Sequence, residues 1–234
     1  MENTVMKKYN KFYFIHIQRT GGRYLFENVI NQLYKSEQIE LLNYNQNQGD
    51  LPHNGWVNEI DADTYVMTIF REPLELICSH YVYFGLTADC VTEEDYTKES
   101  LFKFIAKNPQ VHNLQSKSLI LTSRTYADLV LKSAIYQKIN LDILNEKLER
   151  INFSFTLDYL KENSLDSIAD KISSDIGINP FFNKEDAPGI NSFSHERSRE
   201  IYESLNEDDR NNLTRYFEGD YYIYNKIRAQ EITS

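Results

Sequence analysis

Three runs of bulky residues predict the strands of a buried sheet. The stretch from Phe12 to Leu25 opens with such a run, in which nearly every position up to Ile17 is bulky. Strands that are buried on both faces of a parallel sheet have this composition. Tyr65 to Phe70 is a second run of the same kind, and in Ile151 to Thr156 apolar positions alternate with polar ones. We therefore predict three core strands.

Apolar positions at helical spacing follow the first two runs. After two glycines they recur from Leu25 to Leu33, which predicts a helix from Arg23 onward. Pro73 suits the first turn of a second helix, which should run to about Tyr83. Because strands and helices alternate, the pattern indicates an α/β protein. Further helices are predicted at Ser100–Lys107, Tyr126–Gln137, Asp142–Arg150, Ser164–Ile176, Glu196–Leu205 and Glu207–Phe217, and a helix or turn is predicted at Gln110–Leu121.

Two polar stretches, Gln38–Gly55 and Asn179–Ser194, are predicted as loops, the first with room for a short strand at Ile39–Leu42. His53 lies in the first loop, between a proline and an asparagine. A histidine in such a loop is usually a solvated surface residue. This loop nevertheless leads into the second strand, and active-site residues of α/β sheets gather on such loops.

Size and composition narrow the choice of function. A chain of 234 residues favours a single domain, and a net charge of −10 argues against a nucleic-acid binder. An anionic ligand would need a local basic pocket. The only cysteines, Cys78 and Cys90, imply neither a disulfide framework nor a cysteine-based zinc site. No run has the length of a signal peptide's apolar region or a membrane span, so we expect a cytoplasmic protein without a membrane partner.

The turn after the first strand is the clearest candidate for chemistry. Glycines at 21 and 22 allow a tight turn, and a strand–glycine loop–helix unit directs backbone N–H groups and the positive end of a helix at one point. Phosphate or sulfate suits such a point, and Arg19, Thr20 and Arg23 would add side-chain donors. The alternative is an ordinary turn with incidental glycines. The turn matches neither G-x-x-x-x-G-K-[ST] nor G-x-G-x-x-G.

The second strand also ends in a candidate anion ligand. Arg71 follows this strand directly, and Ser79 lies about two turns into the next helix. An arginine in this position can bind a phosphate through two hydrogen bonds. The alternative is that Arg71 pairs with Glu72 or Glu75 at the start of the helix.

Read together, the two strand ends resemble a known family. HIQRTGG followed by IFREPLELICSHYVYF resembles the phosphosulfate-binding signature of carbohydrate sulfotransferases, the group that includes heparan sulfate 2-O-sulfotransferase. These enzymes typically show one strand ending in H-x-P-K-T-G-G-T-S and a later one ending in R-D-P-x-x-R-x-x-S-x-Y. Arg71, Pro73, Ser79 and Tyr81 keep the second spacing. VHNLQSKSL, INFSFTLDYLKENSLDSIADKI and GDYYIYNKI resemble further segments of the family, so the likeness covers almost the whole chain in the same order.

The resemblance implies a fold, a donor and an acceptor. The fold would be the three-layer, P-loop-like α/β sulfotransferase fold, with a central parallel sheet flanked by helices in one domain over residues 1–234. The donor would be 3′-phosphoadenosine 5′-phosphosulfate (PAPS), which leaves as 3′-phosphoadenosine 5′-phosphate (PAP), with no metal required. The acceptor would be a hydroxyl group, and the resemblance to carbohydrate sulfotransferases implies that it belongs to a carbohydrate. A neutral glycan, a small metabolite or a tyrosine all stay open, and so does the oligomeric state.

By resemblance, the donor's 5′ end would lie on the glycine loop. The N–H groups of Thr20, Gly21 and Gly22 and the side chain of Arg23 would bind it, and Tyr24 would pack near the nucleotide.

The remaining roles fall on both strand ends and on the loop between them. Arg71 and the hydroxyl of Ser79 would hold the 3′-phosphate. Arg19 stands where the family has its lysine, at the leaving phosphate, and would also help to bind the donor. His53 stands where glycan sulfotransferases of this type place their catalytic base, and a neutral imidazole suits that work.

The chain also departs from the family pattern. The family's Pro-Lys is Gln18-Arg19 here, its Thr-Ser after the glycines is Arg23-Tyr24, and Leu76 replaces the second arginine of the later motif. These departures leave open a non-catalytic module that binds a nucleotide or glycan on the same fold. A P-loop-like kinase is a third hypothesis, although the expected Lys-Ser/Thr after the glycines is missing.

Overall fold

The computed structural model of the chain describes residues 8–42, 53–87, 96–123, 125–135, 138–186 and 196–233. Its strands are β1 (Lys11–Ile15), β2 (Glu40–Leu41), β3 (Thr64–Phe70) and β4 (Phe153–Thr156). Its helices are α1 (Gly22–Leu25), α2 (Asn31–Lys35), α3 (Pro73–Thr87), α4 (Lys98–Lys107), α5 (Leu114–Ile120), α6 (Tyr126–Ile135), α7 (Leu141–Glu149), α8 (Leu157–Glu162), α9 (Leu165–Ile176), α10 (Glu196–Ser204), α11 (Glu207–Thr214) and α12 (Glu218–Thr233).

The described strands form one parallel sheet in the order β2-β1-β3-β4. Ile15 of β1 pairs with Thr68 of β3, and Phe70 of β3 pairs with Thr156 of β4. β1 ends earlier than predicted because the backbone of His16 bonds to Asn54 instead of to a strand.

Helices cover both faces of this sheet. Phe12 and Phe14 of β1 enter one buried cluster with helices α1, α2, α8 and α9. Tyr13 and Ile15 enter a second cluster, on the other face, with α5, α7 and α12. Both faces of the strand are therefore buried, as its continuous run of bulky residues predicts. The α/β fold with a central parallel sheet flanked by helices is confirmed.

A third buried cluster lies among helices and extends the molecule beyond the sheet. Leu74, Ile77 and Tyr81 of α3 pack there with residues of α4, α10 and α11. Tyr81, which belongs to the quoted motif, is 2% exposed, and its hydroxyl donates a 2.6 Å hydrogen bond to Ser100. In this chain Tyr81 is therefore a packing residue.

Several local predictions are confirmed. Pro73 opens α3, and Gly177 ends α9 in the left-handed conformation. The Ser164 side chain caps α9 by accepting the Ser167 N–H. The short strand within Ile39–Leu42 is β2.

Other predictions differ from the structure or lie outside the described residues. The helix after the glycines contains a π-helical segment at Phe26–Ile30, and Gln110–Leu121 divides into a 3-10 turn and α5. Most of the loop before β3, the Asn179–Ser194 loop beyond Asp186, the end of the predicted helix at Gln137 and Cys90 lie outside the described residues. In the part of the chain that is described, no helix is long and apolar enough to cross a bilayer.

The strand order creates a topological switch point in the sheet. From β1 the chain passes to β2 on one side, and from β3 it passes to β4 on the other side. The connections after β1 and β3 therefore diverge at the carboxyl ends of these adjacent strands. Ligands of open α/β sheets bind at such a switch point.

Candidate anion site at the switch point

The loop after β1 has an unusual backbone. Arg19 adopts φ 66°, which is uncommon for a residue with a side chain, and Gly21 adopts φ 93°. The Thr20 hydroxyl donates a 2.8 Å hydrogen bond to the carbonyl of Ile17, so this side chain closes the turn from within. Within the described residues, the backbone N–H groups of Thr20, Gly21 and Gly22 make no hydrogen bond of standard geometry.

Gly22 has a packing role. A Cβ at this position would lie 2.4 Å from Cδ2 of His16, 2.8 Å from its Nε2 and 3.2 Å from Cε1 of Phe14. The first turn of α1 therefore rests directly on the His16 ring, and only glycine leaves room for it. The sequence showed the glycine but not the histidine that requires it.

The two arginines at the strand ends meet. Nη1 of Arg71 donates a 3.1 Å hydrogen bond to the backbone carbonyl of Arg19. Nε of Arg19 donates a 3.0 Å hydrogen bond to Oγ of Ser79 on α3, the helix that Arg71 precedes. Arg19, Arg71 and Ser79 thus form one cluster. The sequence placed Arg19 at the donor's opposite pole from Arg71 and Ser79, whereas here it lies beside Ser79.

Both the backbone and the side chain of Arg71 are held by contacts with other residues. Its backbone N–H donates to Oε1 of Gln115 at 2.8 Å, and its carbonyl accepts from Nε2 of the same side chain at 2.9 Å. Nε of Arg71 lies 3.2 Å from Oε2 of Glu75, one helical turn later. The ion pair that the sequence offered as the alternative is therefore present.

Unlike Arg71, Arg19 is not paired with a carboxylate among the described residues. Within the described residues no carboxylate lies within ion-pair distance of Arg19, and its guanidinium lies 4.9 Å from the centre of the Tyr83 ring. Burial lowers the pKa of Arg19 below its ordinary value, and the neighbouring charge of Arg71 lowers this pKa further. Two guanidinium groups that disfavour each other are stabilised by an anion between them.

The other predicted ligands of the glycine loop lie elsewhere on α1. The Arg23 side chain is 83% exposed, and its Nε pairs with Oε1 of Glu27 at 2.7 Å. Tyr24 is partly buried against the first core cluster, and burial raises the pKa of its phenol. In this conformation Arg23 is a surface residue and Tyr24 a packing residue.

His53 lies next to His16, at the start of the loop after β1. Its ring centre is 4.4 Å from that of His16, with the planes tilted by 39°. The His16 backbone N–H donates to Oδ1 of Asn54 at 3.1 Å, and the Asn54 N–H donates to the His16 carbonyl at 3.2 Å. The half-buried His53 is therefore held next to the end of β1.

His80 is a residue of this site that sequence reasoning missed. It follows Ser79, is 1% exposed, and stacks on Phe84 with ring centres 5.5 Å apart. Burial lowers the pKa of His80 to about 3; the charge of Arg19 acts in the same direction, and the nearby backbone of Gln18 opposes the change. Neither ring nitrogen makes a hydrogen bond of standard geometry within the described residues. Only its place directly after a predicted ligand could have drawn attention to it.

Gln115 was also missed as a site residue, although it lies in one of the segments that resemble the family. That segment is tied to α12 by buried hydrogen bonds. Asp220 accepts the N–H groups of Gln115 at 3.2 Å and Ser116 at 2.8 Å, and Oδ1 of Asn113 accepts the N–H of Gly219 at 2.8 Å. Two stretches that are distant in sequence are thus joined beneath Arg71.

Comparison of the chain with family models, with curated proteins and with solved structures gives no match. The fold and the site define an α/β protein with two arginines that meet at the switch point of its sheet. The sulfotransferase resemblance therefore rests on the chain's own motifs.

Proposed function

We propose that this protein is a sulfotransferase that moves a sulfuryl group from PAPS to the hydroxyl of an acceptor, with a carbohydrate as the favoured class. One observation carries the proposal: Arg19 and Arg71, which follow adjacent strands, converge on one cluster with Ser79. These are the residues that the family motifs select from the sequence alone.

The charges and backbone donors at the switch point suit an anionic donor. The chain carries a net charge of −10, yet among the described residues two guanidinium groups meet at this point, and one carboxylate, that of Glu75, pairs with one of them. The amide groups of Thr20 to Gly22 add donors at the start of a helical segment. Arg71, Ser79 and Arg19 would hold the donor's phosphate groups.

The chemistry requires a cation and a base. PAPS supplies an activated sulfuryl group, whose transfer spreads negative charge over the leaving oxygens, as in phosphoryl transfer. Arg19 would stabilise that charge as a fixed cation, since arginine keeps its proton at neutral pH. His53 would accept the proton of the attacking hydroxyl. The ring of His16 and the hydrogen bonds between His16 and Asn54 would hold His53 in place.

The test combines turnover with binding in one variant. We expect His53→Ala to lower sulfuryl transfer from labelled PAPS by about 10²–10⁴-fold, the usual contribution of a general base. The dissociation constant for PAP, measured by calorimetry, should stay nearly unchanged, because His53 is assigned to the proton and not to the phosphates. A panel of neutral glycans, small hydroxylated metabolites and tyrosine peptides would identify the acceptor. Unchanged turnover in His53→Ala would remove this residue from the mechanism.

A non-catalytic binding module is the second candidate, and two contacts favour it. Glu75 already pairs with Arg71, and Arg23 faces solvent instead of the loop. Such a module would bind PAP without turning over PAPS with any acceptor. Stabilisation by ATP with magnesium but not by PAP would instead indicate the kinase hypothesis.

A further inference from the structure

The Arg71–Glu75 pair occupies part of the proposed anion site. The side chain of Arg71 is 4% exposed and that of Glu75 is 27% exposed. Nε of Arg71 faces Glu75, and Nη1 faces the carbonyl of Arg19. Within the described residues, Nη2 makes no hydrogen bond. An anion that forks onto Arg71 through Nε and Nη2 would therefore meet the Glu75 carboxylate first.

Other acidic groups close to Arg71 do not play the same part. Glu72 is directed away, since its Oε1 accepts the hydroxyl of Tyr221 and its Oε2 accepts the N–H of Glu75. Burial raises the pKa of Glu72, and its hydrogen bond with Tyr221 opposes this change. Glu75 is thus the carboxylate within ion-pair distance of either strand-end arginine, as far as the described residues go.

We infer that Glu75 is an internal competitor for the anion at Arg71 and so a specificity-determining residue of this site. The inference deepens the proposed function, on which it rests for taking the switch point as an anion site. A ligand must displace the carboxylate or share the guanidinium with it. A doubly charged phosphate, which attracts the two guanidinium groups strongly, is favoured over a singly charged group such as a sulfate monoester or carboxylate. Glu75 can yield because its outer end reaches solvent.

The chain offers a matched control on the neighbouring unit. Arg23 and Glu27 form an arginine–glutamate pair with the same four-residue spacing, but on the exposed face of the helical segment after β1. If the competition is specific to Arg71, removing the charge of Glu27 should leave anion binding unchanged.

The experiment measures binding of PAP and of inorganic phosphate by calorimetry to the wild type, Glu75→Gln, Glu75→Asp and Glu27→Gln. We expect Glu75→Gln to bind PAP about tenfold more tightly, since a competing charge is removed and a group of the same size is retained. Glu75→Asp retains the charge and should bind with an affinity between those of the wild type and Glu75→Gln. Glu27→Gln should match the wild type. Melting curves without ligand verify that each variant is folded.

Several results would overturn the inference. Equal or weaker PAP binding by folded Glu75→Gln would show that Glu75 does not compete, or that it orients Arg71 for the ligand. An equal gain in Glu27→Gln would show a general effect of net charge. If Glu75→Gln does not fold, wild-type affinity in Glu75→Asp decides against competition. The experiment measures binding and not sulfuryl transfer. A protein that binds these anions but does not turn over PAPS would therefore satisfy this inference and fail the sulfotransferase proposal.

Discussion

Arg19 owes its position to a backbone conformation that few non-glycine residues adopt. Its φ of 66° turns its carbonyl toward Arg71 and lets its side chain reach Ser79. A residue in this region costs of order 1–3 kcal/mol unless its surroundings hold it, and such residues cluster at functional sites. Here Arg19 contacts the same groups that form the proposed anion site.

His80 leads to a prediction about acid stability. Its pKa falls from the ordinary value of 6.5 to about 3 on folding, so the unfolded chain binds a proton on this side chain between these pH values and the folded chain does not. The contribution of His80 to the free energy of unfolding is therefore complete above about pH 6.5 and is lost as the pH falls toward 3. Loss begins at the upper value because the unfolded imidazole takes up its proton first.

We expect His80→Phe, which keeps a flat ring next to Phe84, to remove this dependence. Relative to the wild type, the free energy of unfolding of the variant should rise by about 2 kcal/mol between pH 7.5 and pH 5. Urea unfolding at both pH values measures this quantity, and any constant packing effect cancels in the comparison. A difference between variant and wild type that is the same at both pH values would contradict the assignment.

The sequence predicted some of these residues because their placement follows from strand ends alone. Arg71 directly follows β3, Arg19 lies in the turn after β1, and carboxyl ends of adjacent parallel strands share one edge of the sheet. The direction of Arg23 could not be predicted, because it depends on where the helix begins and on Glu27 one turn later. The reason for Gly22 was equally hidden, since it lies in the ring of His16.

At the scale of elements, α5 links the end of β3 to α12. Gln115 of α5 holds both backbone groups of Arg71, and Asp220 of α12 accepts the N–H groups at the start of α5. The sequence left this stretch undecided between helix and turn for a physical reason. Its polar residues Gln115 to Ser118 are fully buried, so α5 lacks the apolar and polar faces by which helices are recognised.

Lys117 illustrates how such a polar helix is accommodated. Its Nζ donates hydrogen bonds to the carbonyls of Ser133 at 2.9 Å and Pro109 at 3.2 Å. Burial lowers the pKa of this amine to about 8, and the negative charge of Asp220 opposes the change. The lysine therefore satisfies carbonyl groups inside the protein, which a hydrophobicity pattern cannot reveal.

Gln115→Ala should remove the hydrogen bonds that hold the Arg71 backbone while leaving the charge of Arg71 in place. The substitution leaves the buried N–H and C=O of Arg71 without partners, and each unsatisfied group costs about 1–3 kcal/mol. We expect the free energy of unfolding to fall by about 2 kcal/mol or more, and PAP to bind several-fold more weakly because Arg71 is less well positioned. Urea unfolding and calorimetry measure the two effects.

Gln110→Ala is the control for this change. Gln110 donates to Oδ1 of Asn108 two residues away and does not touch Arg71. It should lose little stability and no PAP affinity. Equal losses in both variants would show that Gln115 has no special relation to the strand end.

At the scale of the whole molecule, α12 contacts two of the buried clusters. Ile223 and Ile227 belong to the sheet cluster that contains Tyr13 and Ile15. Tyr221 instead packs against the cluster among α3, α4, α10 and α11. The Tyr221 hydroxyl also bonds to Glu72 at the start of α3. This arrangement bears on the prediction of one domain over residues 1–234.

We expect the chain to unfold as one cooperative unit. The only tryptophan, Trp56, is 3% exposed within the sheet cluster, so its fluorescence reports that part of the protein. Far-UV circular dichroism reports mainly helices, including α3, α4, α10 and α11, which form the cluster away from the sheet. Because α12 and the Asp220 contacts couple the two, both signals should give the same midpoint in urea within error. An earlier loss of helical signal, with Trp56 still buried, would divide the chain into two units and place the proposed anion site at their junction, since α3 carries Ser79 and packs in the helical cluster.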